Sequence, residues 1–148
     1  MNEHVEHLPF LALIDDDQHS AYLLTRMLLA HGSPNIQHYG DAVDGSTRLQ
    51  AVLDGPPTHW PGLIIVDLKA HSQANHDFVA ALQPTARQKG VPIVVMSQPT
   101  GRQGRQALHE AGASAIFFRQ AELGAYRSEA ASIVSFWARF ERLDTVGM

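Results

Sequence analysis

Four short runs of the sequence are apolar without alternation: Leu11 to Ile14 (LALI), Leu63 to Val66 (LIIV), Ile93 to Met96 (IVVM) and Ala115 to Phe118 (AIFF). A strand that is apolar on both faces has to be covered on both. That is the pattern of a parallel sheet between two helix layers, not of an antiparallel sheet with one wet face. A fifth run, Ile36 to Tyr39 (IQHY), alternates polar and apolar residues and is expected nearer a sheet edge.

The intervening segments carry helical signals. After Asp17, the stretch QHSAYLLTRMLLAHG places Leu24, Met27 and Leu28 on one face and stops at Gly32, before Pro34. Asp41 is positioned to cap a second helix with Val43, Leu49, Val52 and Leu53 on its inner face, and the following GPPTHWPG reads as irregular loop. Phe78, Val79 and Leu82 open a third helix that ends before Gly90. Ala107, Leu108 and Ala111 mark a fourth. Gly101 and Gly104 weaken that fourth helix by about 1 kcal/mol each relative to alanine, making it the expected mobile element. Leu123, Tyr126, Ala130, Ile133, Val134, Trp137 and Phe140 repeat at helical spacing through a fifth helix ending near Leu143. Phe136 and Trp137, adjacent and about 100° apart on a helix, cannot both face the core, so one of them is expected exposed.

Strand and helix thus alternate five times, which predicts an α/β fold with right-handed crossovers. Five strands fit the flavodoxin-like doubly wound order 2-1-3-4-5, with five helices. The length of 148 residues is that of one domain. The expected division is an N-terminal extension over residues 1–8, the domain over 9–144 and a tail over 145–148. A net charge of −4 and a pI near 6.1 provide no field for nucleic-acid phosphates. The absence of cysteine excludes disulfides, thiolate metal sites and a cysteine nucleophile. No run approaches the roughly 18 apolar residues of a membrane helix, so a cytoplasmic protein that contacts neither membrane nor nucleic acid is expected.

Ligands of a doubly wound sheet sit beyond the carboxyl ends of its strands, so the residues that end each run are the ones that matter. They are Asp15, Asp16 and Asp17 after the first run, Asp67 after the third, Ser97 after the fourth and Arg119 after the fifth. Carboxylates packed together repel one another, and a hard cation such as Mg²⁺ relieves that repulsion. A phosphoryl group would complete the set, its oxygens shared among metal, hydroxyl and guanidinium. Taken singly, each residue has a plainer reading: Asp15 to Asp17 as a helix cap, Ser97 as a loop serine, Arg119 as a salt-bridge partner of Asp67. Only their joint placement argues for chemistry. Nine histidines are present, but His4 and His7 stand near the N-terminus and His71 and His76 in an expected loop, which argues against a histidine metal site.

The blocks LALIDDD, LIIVD, IVVMS and AGASAIFFR, with Asp67 and Ser97 separated by 30 positions and Ser97 and Arg119 by 22, resemble the signature of response-regulator receiver domains over nearly the whole chain. The resemblance implies a two-component signalling protein rather than an enzyme. Asp67 would accept a phosphoryl group from a histidine kinase or phosphotransfer protein. Asp15, Asp16, Asp67 and the main-chain carbonyl of Lys69 would hold Mg²⁺, with Ser97 and Arg119 on the phosphoryl group. Lys69 and Pro99 stand where the family tunes phosphoryl lifetime. Output would pass through protein contacts of the last helices, to a downstream target or in a homodimer. Several positions depart from the family: Arg119 replaces lysine, Gln120 replaces proline, Ile116 stands for an aromatic, and Gln98 for a small residue. These departures leave open a phosphorylation-independent interaction module. A small dehalogenase-like phosphatase is disfavoured, because the sequence after Asp67 reads Leu68-Lys69 and not Asp-x-Asp.

Overall fold

The structure is a computed structural model that describes residues 8–146, with side chains to residue 142. The five apolar runs form β1 (Phe10–Asp15), β2 (Asn35–Gly40), β3 (Leu63–Asp67), β4 (Ile93–Ser97) and β5 (Ala115–Phe118). All pair in parallel, in the order β2-β1-β3-β4-β5. The helices are α1 (Gln18–Ala30), α2 (Ala42–Leu53), α3 (Ala74–Lys89), α4 (Arg102–Ala111) and α5 (Leu123–Val146). This is the flavodoxin-like fold that the alternation predicts.

Successive strand residues point to opposite faces and so build two cores. Ala12, Ile14, Ile64, Val66, Ile93 and Val95 pack with Leu49 and Leu53 of α2, Phe78 and Val79 of α3 and Leu108 of α4. Leu11, Leu13, Leu63, Ile65, Val94 and Met96 pack on the other side with Leu24 and Leu28 of α1 and Tyr126, Ala130 and Ile133 of α5. Each fully buried leucine or isoleucine contributes on the order of 2 kcal/mol. That two-sided demand is why β1 and β3 are buried at every position, whereas the edge strand β2 alternates. The other edge strand, β5, is only half-buried despite its apolar sequence.

The structure corrects several local expectations. Val43, expected on the inner face of α2, is 73% exposed. The position facing the sheet in that turn is Gly45, where a Cβ would meet Ile14. The GPPTHWPG segment is not wholly irregular: Pro57–His59 makes one 3₁₀ turn, opened by a proline whose fixed φ suits it. Helix α3 starts at Ala74, ahead of Phe78, so His76 lies in its first turn and not in a loop. Phe136 and Trp137 are both half-buried against the α1/α5 core, because the contact line of α5 runs between them. Phe136 also stacks on Phe140. Helix α5 continues to Val146, past Leu143. His4 and His7 lie outside the described residues.

Candidate functional site

The backbone register brings the predicted residues together. Asp15 and Asp67 are paired across β1 and β3, on either side of the point where the strand order reverses. Ser97 pairs with Phe118, and its carbonyl accepts the Arg119 N–H at 2.6 Å. Asp15 and Asp67 are 1% and 0% exposed, the buried charged residues of the sheet. Two carboxylates this deep need compensation, since desolvation alone costs several kcal/mol per ion.

Two cations supply it. Arg119 donates to Asp67 Oδ1 from Nη2 at 2.8 Å and from Nε at 3.2 Å, and from Nη2 to the Met96 carbonyl at 3.3 Å. Lys69 places its ammonium 2.7 Å from Asp15 Oδ1, 3.2 Å from Asp67 Oδ1 and 3.0 Å from the Asp67 carbonyl oxygen. Burial pushes the Asp15 carboxyl above its ordinary range; the Lys69 hydrogen bond draws it partly back and the Asp67 charge adds to the rise. The second oxygens, Asp15 Oδ2 and Asp67 Oδ2, are buried and accept no hydrogen bond from any described residue.

The remaining acids have other duties. Asp16, half-exposed at the pocket mouth, accepts from the backbone N–H of Lys69 at 3.1 and 3.0 Å and of Ala70 at 2.9 Å, tying the β3–α3 loop to β1. Asp17 is exposed and caps α1, accepting from His19 and Ser20 N–H. Four carboxylates therefore follow one another along the edge, but three line the pocket.

Ser97 stands at the rim, and its hydroxyl donates to the Gln98 carbonyl at 2.8 Å instead of pointing to Asp67. Beside it an open cleft of about 470 Å³ runs between the β3–α3 loop and the start of α4, lined by Lys69, His71, Asn75, His76, Ser97, Gln98, Pro99, Thr100 and Arg119. Ile116 packs half-buried against the α2–α4 core.

Four contributors escaped the sequence reading. The Lys69 ammonium is one: the sequence assigned that residue a carbonyl ligand and a part in phosphoryl lifetime, not a charge paired with the acids. Asn75 accepts from Leu68 N–H at 2.8 Å and donates to the Met96 carbonyl at 3.3 Å, bridging β3 to β4 beside Asp67. Glu129 of α5 accepts the Phe118 N–H at 2.6 Å, fixing the strand end from which Arg119 departs. His38 of β2 donates from Nε2 to the Asp15 carbonyl at 2.7 Å, which sets its tautomer. Only Lys69 had a signal in the sequence. Residues two apart on an extended segment point the same way, so a lysine two places after Asp67 can reach back into the pocket.

As they stand, no three histidine, aspartate or glutamate side chains among the described residues are grouped to hold a metal ion. The carboxylates are turned to Lys69, Arg119 and backbone amides. The donor set still fits a hard divalent cation: two buried oxygens lack partners and Asp16 adds a third carboxylate at the mouth.

No protein-family model and no curated protein matches the sequence. Solved structures do match. The Mn²⁺-bound form of response regulator Rcp1 aligns with a TM-score of 0.68 at 18% identity, over 87% of this chain and 94% of that one. The phosphorylated cyanobacterial phytochrome response regulator RcpA gives 0.68 at 18% identity, over 88% and 94%. The Vibrio cholerae chemotaxis protein CheY4 gives 0.66 at 15% identity, over 86% and 97%. The fold is that of response-regulator receiver domains. No helix among the described residues is long and apolar enough to cross a membrane.

Proposed function

We propose that this chain is a cytoplasmic receiver of two-component signalling that accepts a phosphoryl group on Asp67 from a histidine kinase or phosphotransfer protein. The observation that carries the reading is Asp67 itself. It is a fully buried carboxylate at the switch point of a doubly wound sheet, with one oxygen held by a guanidinium and the other unpartnered. A carboxylate with one oxygen fixed and one free is oriented for in-line attack. The Asp67 oxygen would form a bond to phosphorus as the bond from phosphorus to the donor's imidazole nitrogen breaks, the electron pair leaving with the imidazole.

Arg119 remains on the carboxylate and takes up charge on the phosphoryl oxygens, and Ser97 turns its hydroxyl from the Gln98 carbonyl toward them. Mg²⁺, held by Asp15, Asp16, Asp67 and the Lys69 carbonyl, would supply further neutralisation of charge. Asp16 meanwhile fixes the Lys69–Ala70 backbone. Output runs through protein contacts of α4 and α5, in a homodimer or with a target, and the protein acts as a switch and not as an enzyme.

A second reading, a constitutive interaction module, draws on the two cations that already neutralise the pocket. One experiment separates the two. The protein and Asp67→Asn are incubated with Mg²⁺ and acetyl phosphate and weighed intact. The expected result is a single phosphoryl adduct on the parent and none on the variant. No adduct on the parent at any donor concentration leaves the constitutive module as the function.

A further inference from the structure

Lys69 donates to Asp15 Oδ1 at 2.7 Å and to the Asp67 carbonyl at 3.0 Å, and its ammonium stands 3.2 Å from Asp67 Oδ1 as an ion pair. Neither Lys69 nor Arg119 bonds Asp15 Oδ2 or Asp67 Oδ2, which stay buried and unsatisfied. The pocket is thus charge-compensated but under-coordinated. A single positive point charge serves three oxygens where a hard divalent ion takes six or more.

From this we infer that Lys69 is a resident cation that occupies the acid pocket at rest, so that a divalent metal binds only by displacing the ammonium. Lys69, and not the carboxylates alone, then sets the metal concentration at which the receiver becomes competent. The inference rests on the phosphoacceptor reading of Asp67 for its purpose, though not for its test.

Three features suit Lys69 to this part. Its side chain is 25% exposed, against 0% for both acids, so it sits at the entrance and has a route out. It also lines the open cleft beside Ser97 and Thr100, which offers space for the displaced stem. And its backbone is pinned independently of its head, by the bonds from Lys69 and Ala70 N–H to Asp16, so the side chain can leave without unravelling the loop. Arg119 cannot substitute: it approaches from the β5 side and is held by the Met96 carbonyl as well as by Asp67. A lysine is the suitable ion for a displaceable plug, a compact charge on a flexible stem with no bidentate fork to anchor it.

The chain contains two lysines, Lys69 and Lys89, which allows a test on the unaltered protein. Lys89 lies at the far end of α3, with its ammonium over the Trp60 ring, and serves as internal reference. Acylation with an amine-reactive reagent, read by peptide mass spectrometry, should modify Lys69 slowly without metal. The Lys69-to-Lys89 ratio should rise several-fold when Mn²⁺ saturates the site, with binding followed by the paramagnetic resonance of free Mn²⁺.

In parallel, Lys69→Met should bind Mn²⁺ about tenfold more tightly than the parent, and Lys69→Arg no more tightly. An unchanged labelling ratio at saturating Mn²⁺, or equal affinities for the parent and Lys69→Met, overturns the inference. So does a failure of both to bind. Phosphorylation of Asp67 with equal affinities would sink the plug and leave the phosphoacceptor standing. Tightened binding with no phosphorylation in either protein would do the reverse.

Discussion

Arg119 sets two nitrogens, Nε and Nη2, on the same oxygen of Asp67, at 3.2 and 2.8 Å, and leaves the other oxygen untouched. A lysine at this position has one point charge and no such fork. Arg119→Ala removes the nearer of the two cations that face a fully buried carboxylate, and we expect a loss on the order of 3 kcal/mol in urea unfolding at neutral pH. Arg119→Lys should recover most of this. If Arg119→Ala unfolds at the parental urea concentration, Lys69 alone compensates Asp67.

Asp15 and Asp17 respond to pH with opposite sign although two residues apart. Burial raises the folded pKa of Asp15, so the folded state holds its proton more tightly than the unfolded chain does. The stability this brings is complete below about pH 4, the unfolded value, and is lost as pH rises through the folded pKa. At neutral pH the ionised group is therefore a net cost, and Asp15→Asn should melt a few degrees above the parent, the gap closing in acid. Asp17 is lowered, chiefly by the hydrogen bond from Ser20 N–H, so its contribution is present above about pH 4 and lost as pH falls through the folded pKa. Asp17→Ala should melt below the parent at neutral pH and match it in strong acid. Thermal melts across pH decide both signs.

Helix α4 buries a single residue, Leu108, and its N-cap, Gly101, has no side-chain hydrogen bond to offer. Few apolar contacts and an uncapped start make opening inexpensive. Amides from Thr100 to Leu108 should show the largest change in hydrogen exchange between the free and beryllofluoride-treated protein. Equal protection in both, with the adduct on Asp67 established, would remove α4 as the moving element.

Gly104 owes its place to Thr100. A methyl group there would overlap Thr100 Oγ1, although alanine is otherwise favoured over glycine within a helix by about 1 kcal/mol. Gly104→Ala should therefore destabilise the protein, and Gly104→Ala with Thr100→Ala should be at least as stable as Thr100→Ala alone. Additive losses in that double-mutant cycle would mean that the two side chains do not interact.

Once formed, phospho-Asp67 should persist. The Lys69 ammonium has no lone pair to take a proton from water and Pro99 has no polar side chain, so neither position holds a group to activate an attacking water. Loss of radiolabel over many minutes is the expected result; decay within seconds would assign water positioning to another residue, with Asn75 first in line.

The layers of this molecule were readable because LALI, LIIV and IVVM are apolar on both faces, and only a sandwiched parallel sheet covers both. The residues at the strand ends followed from the same runs, which is how Asp15, Asp67, Ser97 and Arg119 could be named together. What the runs do not carry is the direction of a side chain outside a strand. The start of α3 was hidden because Asn75 is tied to Leu68 and Met96, contacts that no local pattern announces. Lys69 was read for its carbonyl and for phosphoryl lifetime, whereas its ammonium turns out to sit among the acids, a fact that depends on β1 lying beside β3.

The two tryptophans sit at the opposite end of the molecule from the acid pocket. Trp60 donates its indole N–H to the Gly55 carbonyl, and Trp137 lies against Gly62, the residue before β3. Asp67 closes the other end of that strand, about 16 Å away for five residues. Indole emission is thus wired to the floor of the sheet: it will register the loss of the whole structure sharply and stay dark to events among the carboxylates. An optical sensor of the pocket would have to be built in, and exposed Gln98, on the rim of the cleft, is the natural place for the dye.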